Sequence, residues 1–160
     1  VMTGRTPYQG RFEGTSAGDK EAVYRAFSLT KADKLKDKKF AVLSGGEKQK
    51  IVIARAVAQT TPWMLLDEPI ASLDIKNQIE IMKTLLELNR QEGVSVLMVL
   101  HDINLAGIYC DRLIMLKDGQ VIAAGNTNEC LCEENLKKLY DISFFHMDTK
   151  KGQRYYYAEI

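Results

Sequence analysis

No stretch of this sequence is long and apolar enough to cross a bilayer. The longest apolar run near its middle, Val94 to Leu100, spans seven residues and includes Ser95, against the roughly 20 that a spanning helix needs. An apolar leader is equally lacking, since Val1-Met2-Thr3-Gly4-Arg5 carries no signal-peptide core. Cysteine is scarce: Cys110, Cys130 and Cys132 make an odd count of 3 in no disulfide-like framework, which points to a reduced, cytosolic compartment. Cys130-x-Cys132 has the residue types of a metal site but no second Cys or His pair nearby. The plainer reading is two ordinary cysteines near a helix start. An excess of charge of one sign is missing too, with 22 Lys plus Arg against 21 Asp plus Glu and a net charge of +1. That balance argues against a dedicated nucleic-acid binder, which usually shows a clear basic excess. Internal repeats and low-complexity tracts are also absent.

What is there is an ordinary globular composition, 46% apolar and 27% charged over 160 residues, enough for one domain or a large part of one. Residues 1–19 read as loop, punctuated by Gly4, Gly10, Gly14 and Gly18. Asp19 is expected to cap a short helix from Lys20 to Phe27, with Val23 and Phe27 on one face. The lysine-rich run at 31–39 interleaves Asp33 and Asp37 and reads as a solvated surface rather than an anion-binding patch. Ser44-Gly45-Gly46-Glu47 is a capping-box pattern opening a helix over 44–58. Trp63 to Leu66 and Val94 to Leu100 have the continuous apolar character of strands buried on both faces. Ile75 to Glu92 is an amphipathic helix ended by Gly93. A short helix follows over Asn104 to Cys110, then a hairpin turning on Asp118-Gly119. A last helix runs from Glu133 to Tyr140, and Tyr155-Tyr156-Tyr157 suits a terminal strand. Strands alternating with helices predict an α/β fold with a mainly parallel sheet.

Four short motifs carry candidate chemistry. In Leu43-Ser44-Gly45-Gly46-Glu47-Lys48-Gln49-Lys50, two glycines open a helix whose first-turn amides and positive dipole end suit a phosphate. A glycine-containing cap with no ligand fits the same residues. Leu65-Leu66-Asp67-Glu68-Pro69 ends an apolar strand in two carboxylates, at the sheet edge where such folds bind ligands. There Asp67 suits Mg²⁺ and Glu68 suits activation of a water for attack on a phosphoryl group. A plain acidic strand-to-turn pair is the competing reading. Ser72-Leu73-Asp74 precedes the long helix, where Asp74 alone is a cap. Val99-Leu100-His101-Asp102 ends the second strand in a histidine. If the two strands are adjacent and parallel, His101 falls beside Asp67-Glu68 and within reach of a terminal phosphate. A structural role is the common one for a lone histidine.

In this order and spacing the motifs resemble an ABC-transporter ATPase along the length of the chain. Leu43 to Lys50 is similar to the family's LSGGQ-type signature, with Glu47 where glutamine is commonest. Trp63 to Pro69 resembles the Walker B strand with its catalytic glutamate, Ser72-Leu73-Asp74 the D-loop, and His101 the switch histidine. Thr3-Gly4-Arg5-Thr6-Pro7-Tyr8 resembles the GRxPY stretch that follows the Q-loop in importers of ferric siderophores, haem and cobalamin. His101 to Ala106 and Tyr109 to Leu113 resemble that group's HDLNLA and YCDRL stretches. Its tail pattern returns at Gly125 and at Leu136 to Tyr140, although Thr127 and Cys130 depart from it.

The resemblance implies a P-loop-NTPase-like sheet flanked by helices, with 1–60 as part of a helical subdomain, 61–125 as the carboxyl-terminal half of the ATPase core and 126–160 as a helix and tail. It implies MgATP as substrate, with Glu68 and His101 catalytic and Asp67 on the metal. Ser44, Gly45, Gly46 and Glu47 would contact nucleotide held by a second ATPase subunit, and Ser72 and Asp74 would couple the dimer. Permease subunits and a substrate-binding protein would complete an importer at the cytoplasmic face of the membrane. The dipeptide Gly-Lys occurs nowhere in the chain, so the P-loop G-x-x-x-x-G-K-[ST] is missing. Together with Val1 as first residue, this predicts the later two-thirds of a larger domain, with exposed apolar sheet surface. Two other readings follow: a non-catalytic fragment that at most docks on a partner, and a soluble ABC ATPase of DNA repair or translation.

Overall fold

The computed structural model describes residues 1–10, 14–150 and 152–159. It divides into two compact units, Val1–Val99 and Leu100–Ile160.

The first unit opens with a 3-10 turn over Met2–Tyr8, where a loop is expected from the sequence. Gly4 makes this possible: a side chain there would collide with the Arg55 carbonyl, so only glycine lets the turn lie against α2 (Gly45–Val57). Helix α1 (Ala17–Leu29) starts three residues before the sequence-based boundary at Lys20, because Ser16, not Asp19, is its cap. Ser16 Oγ accepts from the Asp19 amide at 3.0 Å and Asp19 Oδ2 accepts from the Ser16 amide at 3.0 Å. Two short 3-10 turns, Asp33–Leu35 and Phe40–Val42, carry the lysine-rich stretch. There Lys31 and Lys38 pair with Glu87 and Glu47 at 2.8 and 3.1 Å. Val23, Ala26 and Phe27 of α1 pack with Leu35, Leu43, Ala54 and Ala58 into one core.

Strand β1 (Trp63–Leu66) and strand β2 (Ser95–Met98) pair in parallel, with Leu65 opposite Leu97 and Leu66 opposite Met98. Between them runs α3 (Ile75–Glu92), which buries Ile81, Met82, Leu85 and Leu88 and ends at Gly93 with φ +67°. The expectation of strands covered on both faces is not met. Met64 is buried, but Trp63 is 60%, Leu65 74%, Leu97 51% and Val99 49% exposed, because α3 covers a single face.

The second unit begins with α4 (Ile103–Tyr109), capped by Asp102. Strands β3 (Arg112–Lys117) and β4 (Gln120–Asn126) form the expected hairpin, with Asp118 at φ +50° and Gly119 at φ +76° in a primed turn. A short helix α5 (Thr127–Cys130) leads to α6 (Glu133–Tyr140). Strand β5 (Phe144–Asp148) pairs antiparallel with β6 (Arg154–Ala158), which contains the three tyrosines. Met115, Cys130, Leu131, Leu136 and Tyr156 form the core of this unit. Among the described residues the fold is α/β, with one parallel strand pair and two antiparallel hairpins.

Candidate functional site

The amino end of α2 is the first part of the site. Ser44 Oγ accepts from the Glu47 amide at 3.3 Å, and Glu47 Oε2 accepts from the Ser44 amide at 2.9 Å. This reciprocal cap fixes the loop entering the helix while Ser44 and Gly45 remain exposed. A serine hydroxyl that accepts from an amide still has its own proton to donate. The Ser44 amide, with Lys38 Nζ at 3.1 Å, holds the Glu47 carboxyl below the usual glutamate range. Glu47 is therefore an anion at the positive end of its helix, which stabilises the helix.

The two glycines of this motif differ. A Cβ on Gly45 would make ordinary contact with Leu73 Cδ2, at 3.7 Å. A Cβ on Gly46 would overlap the Asn77 side-chain amide, whose Cγ would lie at 2.5 Å. Asn77 sits in the first turn of α3 and cannot readily withdraw. Its amide donates to Asp74 Oδ1 and its Nδ2 to Asp74 Oδ2, both at 2.8 Å. Those bonds hold the Asp74 carboxyl below its usual range. One turn farther along both helices, Lys50 Nζ pairs with Glu80 Oε2 at 2.8 Å. The Ser44-Gly45-Gly46 end of α2 and the Ser72-Leu73-Asp74 approach to α3 thus form one packed block. The sequence singled out both segments; it did not single out Asn77, whose only signal was its place three residues after a helix-capping aspartate.

Asp67 and Glu68 are exposed at the carboxyl end of β1. Glu68 takes a left-handed conformation, φ +43°, and it precedes Pro69, where the following ring disfavours helical backbone. Such conformations cost about 1–3 kcal/mol and persist where surrounding contacts over-determine them. Here Ala71 N–H donates to the Glu68 carbonyl at 3.3 Å, Leu73 N–H to the Ile70 carbonyl at 3.2 Å, and Gln78 Nε2 to the Ile70 carbonyl at 3.2 Å. Pro69 and Ile70 are buried beneath. The turn that aims the carboxylates is therefore anchored on the same helix α3 that carries Asp74 and Asn77.

His101 is exposed in the second unit, beside the Asp102 cap of α4. Asp67 and Glu68 belong to the first. Among the described residues no group of three or more His, Cys, Asp and Glu is placed to hold a metal ion, and the three cysteines are free thiols, with Cys130 buried. An Asp67-Glu68 pair of exposed oxygen donors fits Mg²⁺, which uses one or two carboxylates and takes its other ligands from phosphates and water.

Arg5, in the Gly4-Arg5-Thr6-Pro7-Tyr8 stretch, serves as an anchor. It pairs with Asp19 at 2.9 Å, donates to the Ala58 carbonyl at 2.9 Å and to Thr60 Oγ1 at 3.1 Å, and lies 4.0 Å over the Tyr8 ring. With Arg5 and Ser16 donating to it, the Asp19 carboxyl is held down to about 2.

The chain is similar to known proteins. The model of the ABC transporter family matches residues 4–71. The chain is 39% identical over 148 residues to the ferric enterobactin transport ATP-binding protein FepC of Escherichia coli K12, a match covering 92% of this chain and 55% of that protein. It superposes on a metal-chelate type ABC transporter in an inward-facing conformation with TM-score 0.93 at 26% identity, covering 99% of this chain and 65% of that one. It also superposes on the dimeric, ADP- and Pi-bound ATP-binding cassette MJ0796 with TM-score 0.60 at 33% identity, covering 73% and 51%. The chain spans about half the length of the curated relatives it matches. No helix among the described residues is long and apolar enough to cross a membrane.

Proposed function

We propose that this chain, which belongs to the ABC transporter ATP-binding family, is a carboxyl-terminal part of an importer ATPase subunit that hydrolyses MgATP to power uptake of an iron-siderophore, haem or cobalamin-type substrate. The observation that supports this best is the block joining the Ser44-Gly45-Gly46 end of α2 to the Asp74 end of α3 through Gly46 and Asn77. A site shared between two subunits needs both segments held in fixed relation on one surface. The name of FepC, a ferric enterobactin transport protein, and the Gly4-Arg5-Thr6-Pro7-Tyr8 stretch support the substrate class.

In this reading Mg²⁺ neutralises charge on the phosphates. Asp67 would hold the metal ion. Glu68 takes the proton from the attacking water as its oxygen bonds to the terminal phosphorus and the bond from that phosphorus to the bridging oxygen breaks, releasing ADP and phosphate. His101 donates to the terminal phosphate. The first-turn amides of α2 and the Ser44 hydroxyl bind the nucleotide of a second ATPase subunit, with Glu47 keeping the helix end ordered. Ser72 and Asp74 couple the two subunits. We assign 1–60 to the helical subdomain, 61–125 to the ATPase core and 126–160 to the tail. The subunit works at the cytoplasmic face of the membrane with a permease and a substrate-binding protein.

The test is uptake by cells lacking the gene. Restoring the complete subunit should restore accumulation of a radio-iron siderophore or of cobalamin, and Glu68→Gln should not. Full uptake of each substrate without the subunit would refute the assignment. The missing Gly-Lys dipeptide favours a second statement: the 160-residue chain alone does not complete a nucleotide site. MgATP titrated onto it should show no saturable tight binding, and saturation at micromolar concentration would contradict this.

A further inference from the structure

The stretch His101-Asp102-Ile103-Asn104 contains a residue to which the proposed chemistry gives no task. Asn104 lies in the first turn of α4, and its side-chain amide reaches the main chain of β6. Nδ2 donates to the Tyr156 carbonyl at 3.0 Å, and Oδ1 accepts from the Tyr156 amide at 2.8 Å. The two bonds explain each other. In the β5–β6 ladder Glu159 N–H donates to the Ser143 carbonyl and Thr149 N–H to the Gln153 carbonyl. Tyr156 is an odd number of residues from both Gln153 and Glu159, so its own N–H and C=O point to the opposite, outer edge. Unpaired strand edges are a liability. Here one asparagine side chain covers the edge as a single residue of a third strand would.

Tyr156 is itself buried and bonded. It is 3% exposed, its hydroxyl donates to the Leu131 carbonyl, and its ring lies 5.7 Å from that of His146, which pairs with Glu133 at 2.8 Å. At the other end of the link, Asp102 Oδ1 accepts from the amides of Asn104 and Leu105, at 2.8 and 2.9 Å. The path from hairpin to histidine is short and bonded throughout: Tyr156 main chain, Asn104, the Asp102 cap, then His101 as the preceding residue.

We propose that Asn104 is a positioning residue for His101, clamping the first turn of α4 to the carboxyl-terminal β5–β6 hairpin so that the hairpin sets where the histidine stands. The catalytic consequence rests on the ATPase reading; the mechanical link does not. The hairpin is then a structural input to the phosphate end of the site, and anything that loosens β6 slows turnover without weakening nucleotide binding.

Two arms test this. In the 160-residue chain, Asn104→Ala and the isosteric Asn104→Asp are compared with wild type by NMR. Asn104→Ala should speed exchange of the Tyr156 amide about two- to tenfold, the loss of one net hydrogen bond, whereas Asn104→Asp keeps an oxygen that accepts from that amide, loses only the donor to the Tyr156 carbonyl and should speed it less. Both variants should move the His101 ring resonances by more than their linewidth. Ile114→Ser, on the exposed face of β3 and outside the β5–β6 hairpin, should leave the His101 resonances in place. An unmoved His101 in both Asn104 variants overturns the proposal. So does an equal shift in Ile114→Ser, or unchanged Tyr156 exchange in Asn104→Ala.

In the complete subunit, Asn104→Ala should lower kcat about tenfold, the scale on which supporting residues act, with KM for MgATP changed less than about twofold. In a His101→Ala background the same change should cost nothing further. An additive loss, or a rise in KM with kcat intact, contradicts the positioning role. If the wild-type complete subunit shows no ATPase activity, the ATPase reading fails while the NMR arm still decides the link.

Discussion

Replacing Gly45 or Gly46 by alanine should give different outcomes at neighbouring positions. In a helix, alanine is favoured over glycine by up to about 1 kcal/mol, and Gly45 and Gly46 both lie in the first turn of α2. A comparison of the two variants therefore cancels most of that term. At position 45 the new methyl meets Leu73 Cδ2 at 3.7 Å, an ordinary contact. At position 46 it overlaps the Asn77 amide, and Asn77 can turn aside only by leaving Asp74. Overpacking of this kind costs about 1–3 kcal/mol. Gly46→Ala should therefore be about 1–3 kcal/mol less stable than Gly45→Ala, a fall in Tm of about 2–4 °C per kcal/mol for a chain of this size. Urea or thermal melts of the two variants measure it. Asn77→Gly should restore most of the loss in the Gly46→Ala background. Equal stability of the two alanine variants, or a double variant no better than Gly46→Ala, would refute the packing argument.

Glu68→Gly should raise stability by about 1 kcal/mol, because glycine adopts φ +43° without strain. Glu68→Gln should not, since its backbone strain is unchanged; equal melts for the two would remove the strain argument. Acid unfolding should report Asp19. Its pKa is lowered from 3.8 to about 2 by Arg5 and Ser16. The stabilisation is full above its unfolded pKa, near pH 4, and is lost as pH falls through about 2. The stability gap between wild type and Asp19→Asn should narrow over that window in urea titrations. A gap independent of pH from 4 to 2 would mean that the Arg5 pair does not form in solution.

How far the sequence was legible depended on whether the deciding interactions were local. The Ser44/Glu47 box, the Gly93 stop of α3 and the Asp118-Gly119 turn are set within a few residues, and α2, α3 and the β3–β4 hairpin appear where the pattern puts them. The start of α1 was misplaced by the same kind of signal, because Ser16 and Asp19 both suit a cap and only the reciprocal bonds choose Ser16. The Met2–Tyr8 turn was illegible because its support is remote: Arg5 finds Ala58 and Thr60, and Gly4 the Arg55 carbonyl. Strand β5 was hidden for a similar reason, since its partner lies beyond a turn that the pattern does not mark. At the candidate site the motif residues themselves were readable. What links them was not: the Asn77 side-chain amide bonds Asp74 and fills the space a Gly46 side chain would need, the Asn104 amide covers a strand edge, and neither leaves a pattern in composition or periodicity.

The central claim is that Glu68 at the end of β1 is the base of an ATPase. It is tested most directly by phosphate release from the ATPase subunit proposed above, with wild-type Glu68 and with Glu68→Gln. A proton-transfer residue contributes about 10²–10⁴-fold. Release from Glu68→Gln should therefore fall by at least about a hundredfold while MgATP still binds with wild-type affinity. Turnover at the wild-type rate in Glu68→Gln would contradict the assignment.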